Sequence, residues 1–498
     1  MISVGGTGAK LTHALLHLSA AGILDRNLEC LLVDSDGANG NLAECKEVFG
    51  AYSLCKSLKL GNTRLFKSSV SLQGPWKPAS DDGSKSFDSF FHYAQKRNEG
   101  NVDADLMELL FSPVERTMEI NEGFRGRPAI GASILADRID FAAANDSWYR
   151  LTQNIAHAVN AQDGRVPVLF AGSVFGGTGA AGVPTIFRTL SRELQKEKEG
   201  TAGVAPLSRL GMTLMLPYFT FDKVQNEKGL QADPNVFPEA TAEALRYYHE
   251  RGFLAKANSI YALGEVSTAH MPVAAVGAAE QRNPAHFLEL VAALGAARFF
   301  SGFPHGGEDH TLSLAKRREE KTLGWDDLPF HDENSRKTQV AQLKQMILFS
   351  VLFRYVYFPW IKREAADDRK LRGSSATIIR RQVIPYQIKS EGTARQIKSE
   401  DLLRDMGYVD LFAQQLLHWL LDISTSHSAC STTLVNARVF DGGWSEREFH
   451  RNGLFPGSNK HSLGSILDRA CEMRFQDHTL DGTGYVIRAL YDACDLFN

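Results

Sequence analysis

The chain has 498 residues, 43% hydrophobic and 23% charged, which is the balance of a globular protein and excludes a disordered, collagen-like or coiled-coil one. Lysine plus arginine number 55 against 58 acids, a net charge of −3, so no net basic field draws the chain onto nucleic acid or anionic lipid. At about 150 residues per domain the length predicts two to four domains.

Ile2–Val4 reads as a short strand that runs straight into the turn Gly5-Gly6-Thr7-Gly8. No basic start or long apolar run precedes it, so no export signal is expected. Lys10–Ala21 has helical spacing through Leu11, Leu15, Leu16 and Leu18. Glu29–Val33 is a second apolar strand, ending in Asp34-Ser35-Asp36-Gly37. Residues 50–100 are polar and read as an insertion. Asp103–Phe111 is predicted helical, and a loop, GFRGRPAIGAS, follows at 123–133.

Phe141–Ala161 is predicted as a helix and Val166–Ala171 as a buried strand, which meets GSVFGGTGAAG at 172–182 and a helix to about Lys196. Strands recur at Leu210–Leu216 and Ser259–Leu263, with a helix at Pro238–Arg251 between them. This alternation predicts an α/β fold, a parallel sheet with helices on both faces. An Ala/Leu-rich helix spans Pro284–Ser301, and another spans Lys337–Trp360. Its apolar part, Gln345–Trp360, carries Arg354 and falls short of the roughly 20 residues a membrane span needs, so it reads as a buried helix. Residues 365–400 are charged and strand-like at Ala376–Val383. Cysteines at 30, 45, 55, 430, 471 and 494 have no C-x-x-C spacing, which predicts free thiols in a reducing cytoplasm.

Glycine after a strand lets backbone N–H groups approach a phosphate, and the helix that follows favours negative charge at its N-terminus. The chain does this twice, at Gly5-Gly6-Thr7-Gly8 and at Gly176-Gly177-Thr178-Gly179. The first loop with Asp34 invites a dinucleotide-binding reading, in which the acid holds a ribose hydroxyl. The third glycine of G-x-G-x-x-G is missing, however, and a nicotinamide-dependent oxidoreductase has no use for a second such loop about 170 residues later. A Walker A loop is excluded because Ala9 separates Gly8 from Lys10.

GGTGAAG at 176–182, behind the strand VPVLFAGS, resembles the signature loop of the tubulin/FtsZ superfamily. The order of other segments is similar. Gly5–Lys10 resembles that family's first phosphate loop, and Asp34-Ser35-Asp36 the loop after its second strand. Gly126-Arg127-Pro128-Ala129-Ile130-Gly131-Ala132 resembles the loop that closes over the γ-phosphate, and LPYFTFD at 216–222 the stretch before the ribose-contacting helix. Asn283 sits where the family reads the base, ahead of its long central helix. The resemblance is to the divergent bacterial tubulin-like proteins and covers about 1–301.

It implies a Rossmann-like GTP-binding domain over 1–301, with an insertion at about 50–120 and a central helix at 284–301. A second, mixed α/β or helical domain would follow over 302–498. It also implies GTP or GDP with Mg²⁺, held by Gly5, Gly6, Thr7, Gly8, Lys10, Asp34, Asp36, Gly126, Arg127, Gly176, Gly177, Thr178, Gly179 and Asn283. Head-to-tail self-assembly would complete the site with acids from the neighbouring subunit.

The acids after the central helix, Glu308-Asp309 and Asp326-Asp327, do not copy the family's N-x-D-x-x-D, so GTP turnover is expected to be slow or absent. The alternative is a non-hydrolysing nucleotide-binding scaffold within a bacterial multiprotein system. Several residues also have plainer readings. Lys10 is either a phosphate contact or a solvated first-turn residue. Asn283, before Pro284, is either a base contact or a helix cap. Glu289 is expected on an exposed polar face rather than against the base, and Arg125 and Arg127 either neutralise phosphate or lie on the surface. His305 and His310 lack a third ligand, so no metal site is expected there.

Overall fold

The computed structural model describes residues 1–78, 84–144, 146–162, 166–196, 208–221, 233–265, 269–271, 279, 281–302, 322–330, 332–365, 399–425, 431–457, 462–477, 479–480 and 482–497. Its centre is a six-stranded sheet built from β1 (Ile2–Val4), β2 (Leu28–Val33), β3 (Val70–Trp76), β4 (Val166–Ser173), β5 (Ser208–Met215) and β6 (Ser259–Leu263). The spatial order is β3-β2-β1-β4-β5-β6, and every neighbouring pair is parallel. Ile2 pairs with Leu31 on one side and Phe170 on the other.

Parallel strands need covering on both faces, and the side chains alternate accordingly. Cys30, Leu32, Leu169 and Ala171 pack into one apolar cluster. Leu31, Val33, Val168 and Phe170 pack into the other. The first cluster is covered by α1 (Gly5–Ala20), α2 (Gly40–Lys56) and, further along the chain, Phe287–Ser301. The second is covered by α3 (Pro128–Arg138), α4 (Ser147–Gln162), α5 (Gly177–Lys196) and α6 (Phe237–Glu250). Phe287–Ser301 is α7, the central helix, buried along nearly its whole length.

Two of these elements fall wholly or partly within the stretch that reads as an insertion. The buried face of α2 is made of Leu42, Cys45, Val48, Ala51, Tyr52 and Cys55. That spacing is helical, but small and polar-tipped side chains give it little hydrophobic contrast. β3 is an edge strand of sequence VSLQGPW with no fully buried residue, so it lacks the apolar run that marks β4.

The described residues beyond 302 are mostly helical. Helix α8 (Glu333–Leu352) continues through a π-helical turn, Phe353–Tyr357, into Phe358–Ala365, and α9 spans Ser399–Thr425. Their apolar residues join the cluster that covers α1 and α2. No described helix is long and apolar enough to cross a membrane. Arg354 is satisfied by Asp410 at 3.0 Å. Cys30, Cys45, Cys55 and Cys494 are free thiols. Cys430, His305, His310, Glu308, Asp309 and the strand expected at 376–383 lie outside the described residues.

Candidate functional site

β1 and β4 are neighbours, but the chain leaves them in opposite directions, through α1 to β2 and through α5 to β5. In an open α/β sheet this switch point leaves a crevice at the carboxyl ends of the strands. Both glycine loops stand at those strand ends, as the first turns of α1 and α5. Gly5 adopts φ +74°, a left-handed backbone that glycine tolerates. A Cβ placed on it would lie 3.5 Å from both Gly179 N and Thr178 Cβ. Two loops separated by most of the domain thus touch.

Other glycines admit close packing. At Gly8 a Cβ would be 2.7 Å from Ser3 C, and at Gly179 2.4 Å from Ser173 O. At Gly6 it would be 3.0 Å from Asn41 Nδ2. The cap residue of α1 is Val4, which offers no side-chain acceptor, and neither α1 nor α5 carries an acid in its first turn. No acid of either helix's own first turn therefore offsets the partial positive charge of these helix ends.

Around the loops stand three further segments. The first follows β2. Asp34 Oδ1 accepts from Asp36 N at 3.2 Å and from Thr178 Oγ1 at 3.4 Å, and Asp36 Oδ1 accepts from Ala38 N. Ser35 Oγ is buried without a hydrogen-bond partner among the described residues. Burial pushes the Asp34 carboxyl up from 3.8 to about 7, against the bonds from Asp36 N and Thr178.

That shift gives a prediction with a definite sign. The folded state holds the Asp34 proton between about pH 4 and 7 while the unfolded chain loses it. The associated stability is full below pH 4 and is lost as pH rises towards 7. Asp34→Asn keeps the acceptor and removes the charge, so it should stabilise the protein by about 2–4 kcal/mol at pH 8 and by nothing at pH 4. Urea melts across that range check this, and a pH-independent difference would contradict it.

The second segment is residues 123–127. Gly123 and Gly126 have positive φ, as does Arg125 at +42°. Buried Phe124 anchors the turn against α3 and α5, close to Gly131 and Ala181. A Cβ on Gly177 would meet Phe124 C at 2.8 Å and Gly126 N at 2.9 Å, so this loop seats on the start of α5. Arg125 pairs with Glu122, and Arg127 Nε lies 3.2 Å from Glu115; both arginines already have carboxylate partners. Arg127 also precedes Pro128, the first residue of α3.

The third segment precedes α7. Gln281 Oε1 accepts from Asn39 Nδ2 at 2.6 Å, Gln281 O accepts from Asn41 N, and Asn41 Oδ1 accepts from Asn283 N at 2.9 Å. The segment therefore lies over the start of α2. Asn283 does not cap α7. His286 does, in a capping box with Glu289. The Asn283 side chain is half-buried and makes no hydrogen bond among the described residues.

Two expectations change here. Glu289 is buried at 1% exposure, not on a polar surface. Lys10, 4% exposed, is neither solvated nor turned to the glycine loops: its Nζ sits 2.7 Å from Glu289 Oε1 and donates to Pro284 O at 2.5 Å. Tyr218 donates to the same Glu289 oxygen at 3.0 Å, and His286 N donates to Oε2. Burial, and then the Glu289 charge, hold the Tyr218 hydroxyl well above its ordinary pKa. Thr7, in the first glycine loop, reaches the same hydroxyl. A buried polar chain thus runs from the loop to the central helix. Tyr218 and His286 carried no separate signal in the sequence beyond a tyrosine in LPYFTFD and a histidine after Asn-Pro-Ala.

Asp326 and Asp327 are engaged in the C-terminal region. Asp326 pairs with Arg336, and Asp327 accepts from Gly324 N at 2.8 Å. No group of three or more potential metal ligands occurs among the described residues. Comparison of the chain with protein-family models, curated proteins and solved structures returns no match.

Proposed function

We propose that this protein binds a purine nucleoside di- or triphosphate, GTP or GDP by its resemblance to the tubulin/FtsZ superfamily, at the switch point between β1 and β4. The observation that carries this reading is the meeting of two glycine loops, each opening a helix whose N-terminus lacks an acid. Such ends favour anions, and the orphaned Ser35 hydroxyl beside them fits a polar ligand. The phosphates would rest on Gly5–Gly8 and Gly176–Gly179, with Gly126 and the backbone around it closing one side. Mg²⁺ would be held chiefly by the phosphates and water, as is usual for this ion, near Asp34 and Asp36. Asn283, with an uncommitted amide, would meet the base. Lys10 is assigned to Glu289 and not to phosphate.

Two observations favour the non-hydrolysing scaffold as the second reading. The described acids after the central helix, Asp326 and Asp327, are already occupied. The helix Val102–Leu110 also exposes Val102, Leu106, Leu109 and Leu110, an apolar face that suits a protein partner. Titration calorimetry with GTP tests the shared core of both readings, with ATP and NAD as comparisons. A preference for GTP of at least tenfold is expected. Tighter binding of NAD would replace the reading with an oxidoreductase. Turnover that rises more than linearly with protein concentration would mark a site completed by a neighbour. Binding without turnover would mark the scaffold.

A further inference from the structure

A cavity lies in the C-terminal region, away from the glycine loops. It has a volume of about 360 Å³ and is lined by Trp325, Asp326, Arg336, Lys337, Lys344 and Phe497, among others. That volume falls in the lower range of small-molecule pockets.

Lys344 projects from α8 into an aromatic box. Its Nζ lies 5.4 Å from the ring centre of Trp325, 5.6 Å from Phe455 and 6.0 Å from Phe497. The box is braced internally. Trp325 Nε1 donates to Leu434 O at 3.0 Å, Trp325 meets Phe455 edge-on, and Phe455 meets Phe497 edge-on at 5.3 Å. The rings therefore stand in place without a ligand.

Lys344 makes no ion pair or hydrogen bond to any described residue; the three ring faces are its contacts. Its cationic neighbours are differently placed. Arg336 is held by Asp326 and by Glu333 at 2.7 Å, and Lys337 lies 3.8 Å from Glu333. Arg336 and Lys337 thus each reach a carboxylate, and Lys344 is the lining cation without one at ion-pair distance among the described residues. Burial lowers the Lys344 pKa, with Asp326 opposing and Arg336 adding to the effect.

The Lys344 charge is single and borne by a point-like ammonium. Arg336 has its fork already taken, so the bidentate recognition suited to phosphate is absent. We propose that this pocket binds a small monocarboxylate on a flat aromatic body, its carboxylate taken by Lys344 and its body lying against Trp325 and Phe497. The proposal is independent of what occupies the glycine loops.

Titration calorimetry on the full chain with phenylacetate and its neutral isostere phenylacetamide tests this. The acid should bind at least tenfold more tightly than the amide. Lys344→Met, similar in length and uncharged, should reduce the acid to the level of the amide, while Lys337→Met should leave it within threefold. The methionine replaces a half-buried amine that lacks a carboxylate partner, so the fold should tolerate it. Phe497→Leu keeps the ammonium and should weaken acid and amide alike. The proposal is overturned if acid and amide bind equally, if neither binds at 10 mM, or if Lys344→Met binds the acid like the parent.

Discussion

Lys10→Met should destabilise the protein by about 3–5 kcal/mol, because it leaves the Glu289 carboxylate buried without its cation. Both groups are nearly inaccessible, at 4% and 1% exposure, and lie 2.7 Å apart. The remaining donors, Tyr218 Oη and His286 N, are neutral and do not replace the lost charge. Such a loss is a large part of the roughly 5–15 kcal/mol that holds a typical domain together. The double variant Lys10→Met/Glu289→Gln removes the charge; the amide oxygen can still accept from His286 N while its NH2 donates to the Tyr218 hydroxyl oxygen, so it should recover at least half of the loss. Urea denaturation of the three proteins checks this. A single variant within 1 kcal/mol of the parent would contradict the buried pair. If that variant also lost nucleotide, Lys10 would return to the phosphate side.

The same pair marks the boundary of what was legible in the sequence. Strands with continuous apolar runs, such as VPVLFA and SIYAL, were readable because a strand buried on both faces has no polar interruptions. The glycine loops were readable because they punctuate a strand and a helix. Glu289 was not. One acid in FLELVAAL looks like a polar stripe, and its partner Lys10 lies 279 residues earlier. A buried pair of that separation leaves no periodic trace in either helix. α2 and β3 were hidden for a related reason: cysteine, alanine and tyrosine fill the buried face of one, and the other is a half-exposed edge. Of the two readings of Asn283 the helix cap falls away, since His286, an uncommon cap, takes that position three residues later.

Gly177→Arg should lower GTP affinity at least a hundredfold under the proposed function, and the geometry refines why. A Cβ at 177 points at the backbone of Phe124 and Gly126, at 2.8 and 2.9 Å. These are main-chain atoms fixed by a buried phenylalanine, so they cannot swing aside as a side-chain tip would. The substitution separates the 123–127 loop from the start of α5 before any phosphate is considered. Overpacking of this kind costs about 1–3 kcal/mol, less than a typical domain's total stability, so the fold should survive. Gly177→Ala separates the two causes. If a methyl group alone removes most of the binding, the seating of the loop is what the nucleotide needs. If alanine binds nearly as the parent does and arginine fails, the longer side chain blocks the phosphate space itself. Gly50→Ala, in α2 with nothing within 4 Å of the added methyl, is the control and should bind like the parent. An arginine variant that is folded by circular dichroism and binds GTP as tightly as the parent would remove the second glycine loop from the site, and with it the reason for placing a nucleotide between β1 and β4.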